Sequence, residues 1–197
     1  MLRIISSFDG GNIEVIKADD PGDIQLNIRQ DTKAEFFQWF YFKVIGVKNT
    51  PCTIKILNAG EASFTRGWEN YKAVTSADQQ YWTRVPTEYK NGILEIQNTP
   101  RTDAVCYAYF VPYPSDRHSD LIARCQASKG VRLSVPGLTE QNRPIEVLTF
   151  GNVADNKPAL WIIARQHPGE TMAEWFMEGL LDRLLNQQDG AVRSLLQ

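Results

Sequence analysis

The side chains in this sequence best suited to chemistry are His167 and Glu170, a histidine and a glutamate three residues apart. They stand in His167-Pro168-Gly169-Glu170, and a neutral imidazole with a carboxylate supplies two of the ordinary nitrogen and oxygen ligands of zinc. A catalytic zinc site takes about three such ligands plus a water. Pro168 and Gly169 let the backbone bend tightly, and the spacing lets both side chains point to one side of the turn. As a bare pattern H-x-x-E is common. A solvated His beside a helix-terminal Glu, favoured there by the macrodipole, is its ordinary explanation.

The flanking elements distinguish this copy. Ala159–Ala164 is an apolar run rich in β-branched residues and Trp161, closed by Arg165 and Gln166, and reads as a strand buried on both faces. After the turn, Thr171 with Glu174 reads as a capping box that starts a helix over Thr171–Leu185. Ala173, Trp175, Phe176, Met177, Leu180, Leu181 and Leu184 give that helix a broad apolar face. A ligand-bearing turn at the carboxyl end of a strand, ahead of a helix, is where open α/β sheets place their sites.

With those residues in place, Ala164–Thr171 (Ala-Arg-Gln-His-Pro-Gly-Glu-Thr) resembles the first zinc-ligand segment of the M14 metallocarboxypeptidases. It is most similar to the cytosolic carboxypeptidase branch, where A-R-x-H-P-G-E is the usual wording and a β-rich domain precedes the peptidase domain. The resemblance implies that His167 and Glu170 are metal ligands and that the cofactor is Zn2+, as in the His₂Glu site of carboxypeptidase A. It further implies zinc-dependent hydrolysis of C-terminal residues from peptides or proteins, by a metal-activated water, in the cytoplasm. In that family the second His ligand, the general-base Glu and the Arg that holds the substrate carboxylate all lie well downstream. The remaining histidine, His118, lies upstream, matches no family ligand position and reads as a surface residue. The sequence is therefore expected to be a front portion with an incomplete site, inactive alone, with no catalytic residue of its own and no identifiable substrate-binding residue.

The rest of the chain fits that plan. Its 43% hydrophobic and 22% charged residues suit a globular protein. A formal charge of -2 makes no electrostatic case for nucleic acid or an anionic membrane. No apolar stretch is long enough to span a bilayer, and Met1–Asp9 lacks the apolar core of a signal peptide. Cys52, Cys106 and Cys125 are far apart, without metal-ligand spacing, and read as buried free thiols of a reducing compartment.

Residues 1–112 read as an N-terminal antiparallel β-sandwich. Its strands are Ile4–Ser7 and Asn12–Lys17, paired as a hairpin around Asp9-Gly10-Gly11, then Ile24–Arg29, a long central Phe36–Val47 and Cys52–Asn58. Trp68–Val74, Gln80–Val85, Gly92–Ile96 and Ala104–Val111 follow. Trp39, Tyr41, Trp68, Tyr71, Tyr81 and Trp82 could form a sugar-stacking platform, but burial between sheets is the simpler expectation.

Pro112 and Pro114 place a boundary before residues 113–197, the incomplete start of an α/β mixed-sheet peptidase domain, so the fold class is α+β overall. Here a helix is expected over Asp116–Ala127, strands over Arg132–Val135 and Ile145–Asn152, and a last helical turn or two over Ala191–Gln197. A sheet of these strands with Ala159–Ala164 would leave apolar surface to be covered by the missing C-terminal part or a second chain. The competing functional reading is a non-catalytic β-sandwich module for protein binding or scaffolding, with a vestigial peptidase segment.

Overall fold

The computed structural model describes residues 1–151 and 158–196. In chain order the strands are β1 (Arg3–Ile5), β2 (Glu14–Lys17), β3 (Ile24–Asn27), β4 (Tyr41–Ile45), β5 (Cys52–Ile56) and β6 (Val74–Ser76). They continue with β7 (Thr83–Arg84), β8 (Thr87–Lys90), β9 (Ile93–Asn98), β10 (Ala104–Ala108), β11 (Val131–Leu138) and β12 (Pro144–Phe150). The α-helices are α1 (Ser115–Gln126), α2 (Thr171–Leu185) and α3 (Gly190–Leu196). The fold is α+β with mostly antiparallel sheets, as expected. Two compact units result: Met1–Pro112 with His167–Gly169, and Tyr113–Gln166 with the residues from Glu170 onward.

The first unit holds two five-stranded sheets, β1-β4-β10-β6-β7 and β2-β3-β5-β9-β8. Strand alternation builds the core between them. Ile24 and Leu26 of β3, Ile54 and Ile56 of β5, and Leu94 and Ile96 of β9 are all fully buried. Ile54 pairs with Ile96, and Ile56 with Leu94, so the apolar residues also meet directly across strands. The other sheet answers with Phe42 and Val44 of β4, paired with Tyr107 and Val105 of β10, and Phe42 and Tyr107 stack with centroids 5.5 Å apart. One shared cluster joins residues of both sheets. All pairings in this unit are antiparallel except β3 with β5, which run parallel.

Several expectations need correction. β1 and β2 do not form a hairpin: β1 pairs with β4 and β2 with β3, in different sheets. The Asp9-Gly10-Gly11 turn instead carries the chain from one sheet to the other. Gly10 has φ +71, and a Cβ on Gly11 would lie 2.0 Å from the Ser6 carbonyl oxygen. The aromatic run from Phe36 yields a strand only over Tyr41–Ile45, though a central one as expected. Ahead of it, the Phe37 amide donates to Ser63 Oγ rather than to a strand partner, while the Gln38 side chain accepts from the Phe64 amide. Trp68–Val74 is not a strand either: a 3-10 turn spans Thr65–Trp68, and Asn70 sits at φ +55. β8 was not expected, although Asn91-Gly92 is a hairpin signal; both residues take positive φ, 53° and 81°, as a type I′ turn requires.

Three of the six candidate platform aromatics are buried, and Trp39 and Trp82 are half-buried. Tyr41, Trp68 and Tyr71 belong to buried clusters, while Tyr81 alone of the six is largely exposed. All three cysteines are buried and free.

In the second unit β11 and β12 form an antiparallel pair with a register shift between Ser134 and Gly137. Leu121 and Cys125 of α1 and Leu181 of α2 pack with Val131, Leu148 and Phe150 from this pair. Ala159–Ala164 is not a strand in this structure. A ladder needs a partner, and among the described residues none pairs with this run. Leu160, Trp161 and Ile163 are 79%, 77% and 72% exposed. The expected strand end at Asn152 and helix end at Gln197 lie outside the described residues.

Two aromatic residues of one run should separate burial from composition. Phe42→Ala, which empties a fully buried site, is expected to cost about 3–5 kcal/mol in urea unfolding. Phe36→Ala, at a position 70% exposed, should stay within about 0.5 kcal/mol. Equal losses would contradict the core assignment.

Candidate metal centre

His167 lies in the turn that groups with the first unit, and Glu170 opens the second unit's last segment; both side chains are exposed. Glu170 is the N-cap of α2 but its side chain makes no capping hydrogen bond. An imidazole and a carboxylate on exposed positions of one tight turn are a donor pair that suits zinc. Among the described residues, no group of three or more His, Cys, Asp or Glu side chains is placed to hold a metal ion.

The expected capping box does not form. Thr171 is the first residue of α2 itself, and its buried Oγ1 has no hydrogen-bond partner among the described residues. Glu174 is turned to another task. Its Oε1 lies 2.7 Å from His118 Nδ1 of α1, and its Oε2 accepts from Arg165 Nη1 at 2.5 Å. The same Arg165 nitrogen donates to the Tyr113 carbonyl at 3.0 Å. Arg165 holds φ +53, in the left-handed region that side chains other than glycine avoid.

His118 is therefore no plain surface residue, a correction to the sequence-based expectation. Its other nitrogen lies 3.5 Å from Glu146 of β12. The hydrogen bond to Glu174 raises its pKa above the ordinary 6.5, against the opposing effect of burial. Burial works against ionising the Glu174 carboxyl, but His118 and Arg165 outweigh it and hold the carboxyl below its usual range.

The pair belongs to a longer seam. Glu174, Glu178 and Asp182 recur every fourth residue along one face of α2. α1 meets them with His118, Arg117 and Arg124 at 2.7, 2.7 and 2.8 Å. Arg117 grips Glu178 through two nitrogens, both at 2.7 Å, and lies 4.2 Å from the Trp175 ring centroid. Arg165, Glu174 and His118 were not singled out from the sequence as a group. The only local signal was Arg165 standing two residues before His167.

The His118 contacts make stability depend on pH with a definite sign. Because its folded pKa lies above the unfolded value of 6.5, the stabilisation is fully present below that value and is lost as pH rises through the folded pKa. Urea unfolding across this window should show a loss on the order of 1 kcal/mol or less, given the partial exposure of the pair. His118→Gln should flatten the profile, and an imidazole NMR titration should place the inflection above 6.5. An inflection at or below it would refute the pairing with Glu174 and Glu146.

Comparison with known proteins bears on the whole chain. Residues 4–110 match the family model described as cytosolic carboxypeptidase N-terminal domain, and residues 121–197 match the one described as zinc carboxypeptidase. An uncharacterized protein of Zymomonas mobilis is 43% identical over 196 residues, covering 100% of this chain and 50% of that protein. The crystal structure of a metallo-carboxypeptidase from Burkholderia cenocepacia superposes with a TM-score of 0.93 at 41% identity, over 100% of this chain and 53% of that one. A metallo-carboxypeptidase from Pseudomonas aeruginosa, in complex with (2-guanidinoethylmercapto)succinic acid, gives a TM-score of 0.93 at 44% identity, over 99% of this chain and 52% of that one. The chain thus spans about half the length of these relatives. With one family model covering more than half of the sequence and a second most of the remainder, the chain belongs to the M14 zinc carboxypeptidases, in their cytosolic carboxypeptidase branch.

Proposed function

We propose that this chain is the front portion of a zinc-dependent metallocarboxypeptidase that removes C-terminal residues from peptides or proteins. His167 and Glu170 are then two of its zinc ligands. The observation that carries the reading is the His167-Pro168-Gly169-Glu170 turn, exposed at the start of α2, inside the segment that matches zinc carboxypeptidases. When bound, zinc supplies an activated water and polarises a carbonyl. The chain's own part is to present an imidazole and a carboxylate from one short turn. Residues 1–112 are a β-sandwich domain in this reading, and 113–197 open the peptidase domain.

The remaining ligand, the general base and the substrate-carboxylate site belong, in this proposal, to the part of the relatives' length that the chain does not span. The exposed Leu160–Ile163 run supports this, since apolar surface of that kind calls for a covering partner. A peptide C-terminus as substrate is in keeping with the carboxylate-bearing compound in the Pseudomonas aeruginosa complex. A cytoplasmic location accords with the description of the first matching family. No helix among the described residues is long and apolar enough to cross a membrane.

The test uses the full-length protein that contains this chain. Metal analysis should find one zinc per chain by this reading. His167→Ala and Glu170→Ala should each weaken zinc binding by more than the about 10–100-fold typical of residues one layer behind a ligand, and should abolish release of the last residue from a test peptide. Parent-like zinc content in both variants would rule out the assignment.

A further inference from the structure

We propose that the Arg165–Glu174 ion pair is a staple that ties together the two ends of the zinc-ligand turn, making both residues positioning residues for His167 and Glu170. The zinc part of this inference rests on the function proposed above. The pair spans nine positions of the chain, so it brackets residues 166–173 and with them both ligands. Everything between its ends is a short bend and the first turn of α2.

Three features suit the pair to this task. Its acceptor is immobilised: Glu174 is 13% exposed at its side chain, and His118 of α1 holds the other carboxylate oxygen at 2.7 Å. Its donor is immobilised as well, because Arg165 Nη1 also donates to the Tyr113 carbonyl at 3.0 Å. The backbone of Arg165 stands at φ +53, a conformation of higher energy that persists where surrounding contacts over-determine it. A charge-assisted bond between two anchored and partly buried groups can supply that restraint far better than a mobile surface pair.

The chemical consequence is pre-organisation. Ligands on a tethered turn need less ordering when the metal arrives, and the residues behind metal ligands commonly set affinity in this way. Neither Arg165 nor Glu174 is assigned a contact with metal or substrate.

The experiment compares Arg165→Ala, Glu174→Gln and the double variant in the full-length protein. Zinc affinity is read by competition with a chromogenic chelator, and amide hydrogen exchange of residues 166–173 is measured on metal-free protein. Each single variant should lower zinc affinity about tenfold and speed exchange in that segment, with α1 and the sheets protected as in the parent. The double variant should be no worse than the singles, because both remove one interaction. Arg165→Lys, which keeps the cation, should restore most of the affinity. Glu174→Gln preserves side-chain shape, so the result does not hang on Arg165→Ala folding.

Parent-like exchange in the single variants, or losses that simply add in the double variant, would overturn the staple. His167→Ala separates the two readings. If that variant binds zinc as the parent does, the ligand assignment fails, while metal-free exchange still decides for or against the staple.

Discussion

A carboxylate that is largely shielded from water stays charged only when its oxygens are answered by donors, and Glu174 answers this constraint in a way that shapes the second unit. One oxygen is held from α1 by His118, the other by Arg165 at the entrance to the His-Pro-Gly-Glu turn. The first turn of α2 is thereby fixed from two sides. Leaving either oxygen unanswered would cost more than a surface contact is worth. Glu178 and Asp182 repeat the arrangement down the helix, with Arg117 and Arg124 opposite. Beneath this polar seam, Leu121, Cys125 and Leu181 supply the non-directional burial that brings the helices together.

Much of the first unit was legible because its strands obey a simple alternation. Ile24–Asn27 and Cys52–Ile56 bury every second residue, so the period alone locates them. The failures occur where composition stood in for period. Phe36–Phe40 and Trp68–Val74 are aromatic enough to suggest strands, yet the Phe37 amide donates to the Ser63 hydroxyl and Asn70 is left-handed, and neither segment joins a ladder over its length. Pairing was harder to read than existence. The Asp9-Gly10-Gly11 turn has good hairpin chemistry, but which sheet each flanking strand joins depends on partners dozens of residues away.

The candidate site divides along the same line. His167 and Glu170 could be found because their chemistry is written in four consecutive residues. His118 and Glu174 are 56 residues apart, and no local pattern announces such a contact. Glu174 was legible as something else, the reciprocal half of a capping box with Thr171, and the local option lost to a charged, longer-range one. Ala159–Ala164 shows the opposite limit. Its composition suits a buried strand, but strand structure belongs to a ladder and not to a run of residues.

The order of strands in the first unit has a kinetic consequence. The chain visits the second sheet with β2 and β3, crosses to the first for β4, returns for β5, and alternates again until β10. That last strand does not finish an edge; it inserts between β4 and β6 at the centre of its sheet. The second sheet has all its strands by Asn98, whereas the first stays split in two until residues beyond 103 have arrived. Such topology makes folding slow, strongly cooperative and dominated by contacts distant in sequence. A nascent chain cut short of β10 would present two unfinished sheet edges, where pairing with other chains competes with completing the fold.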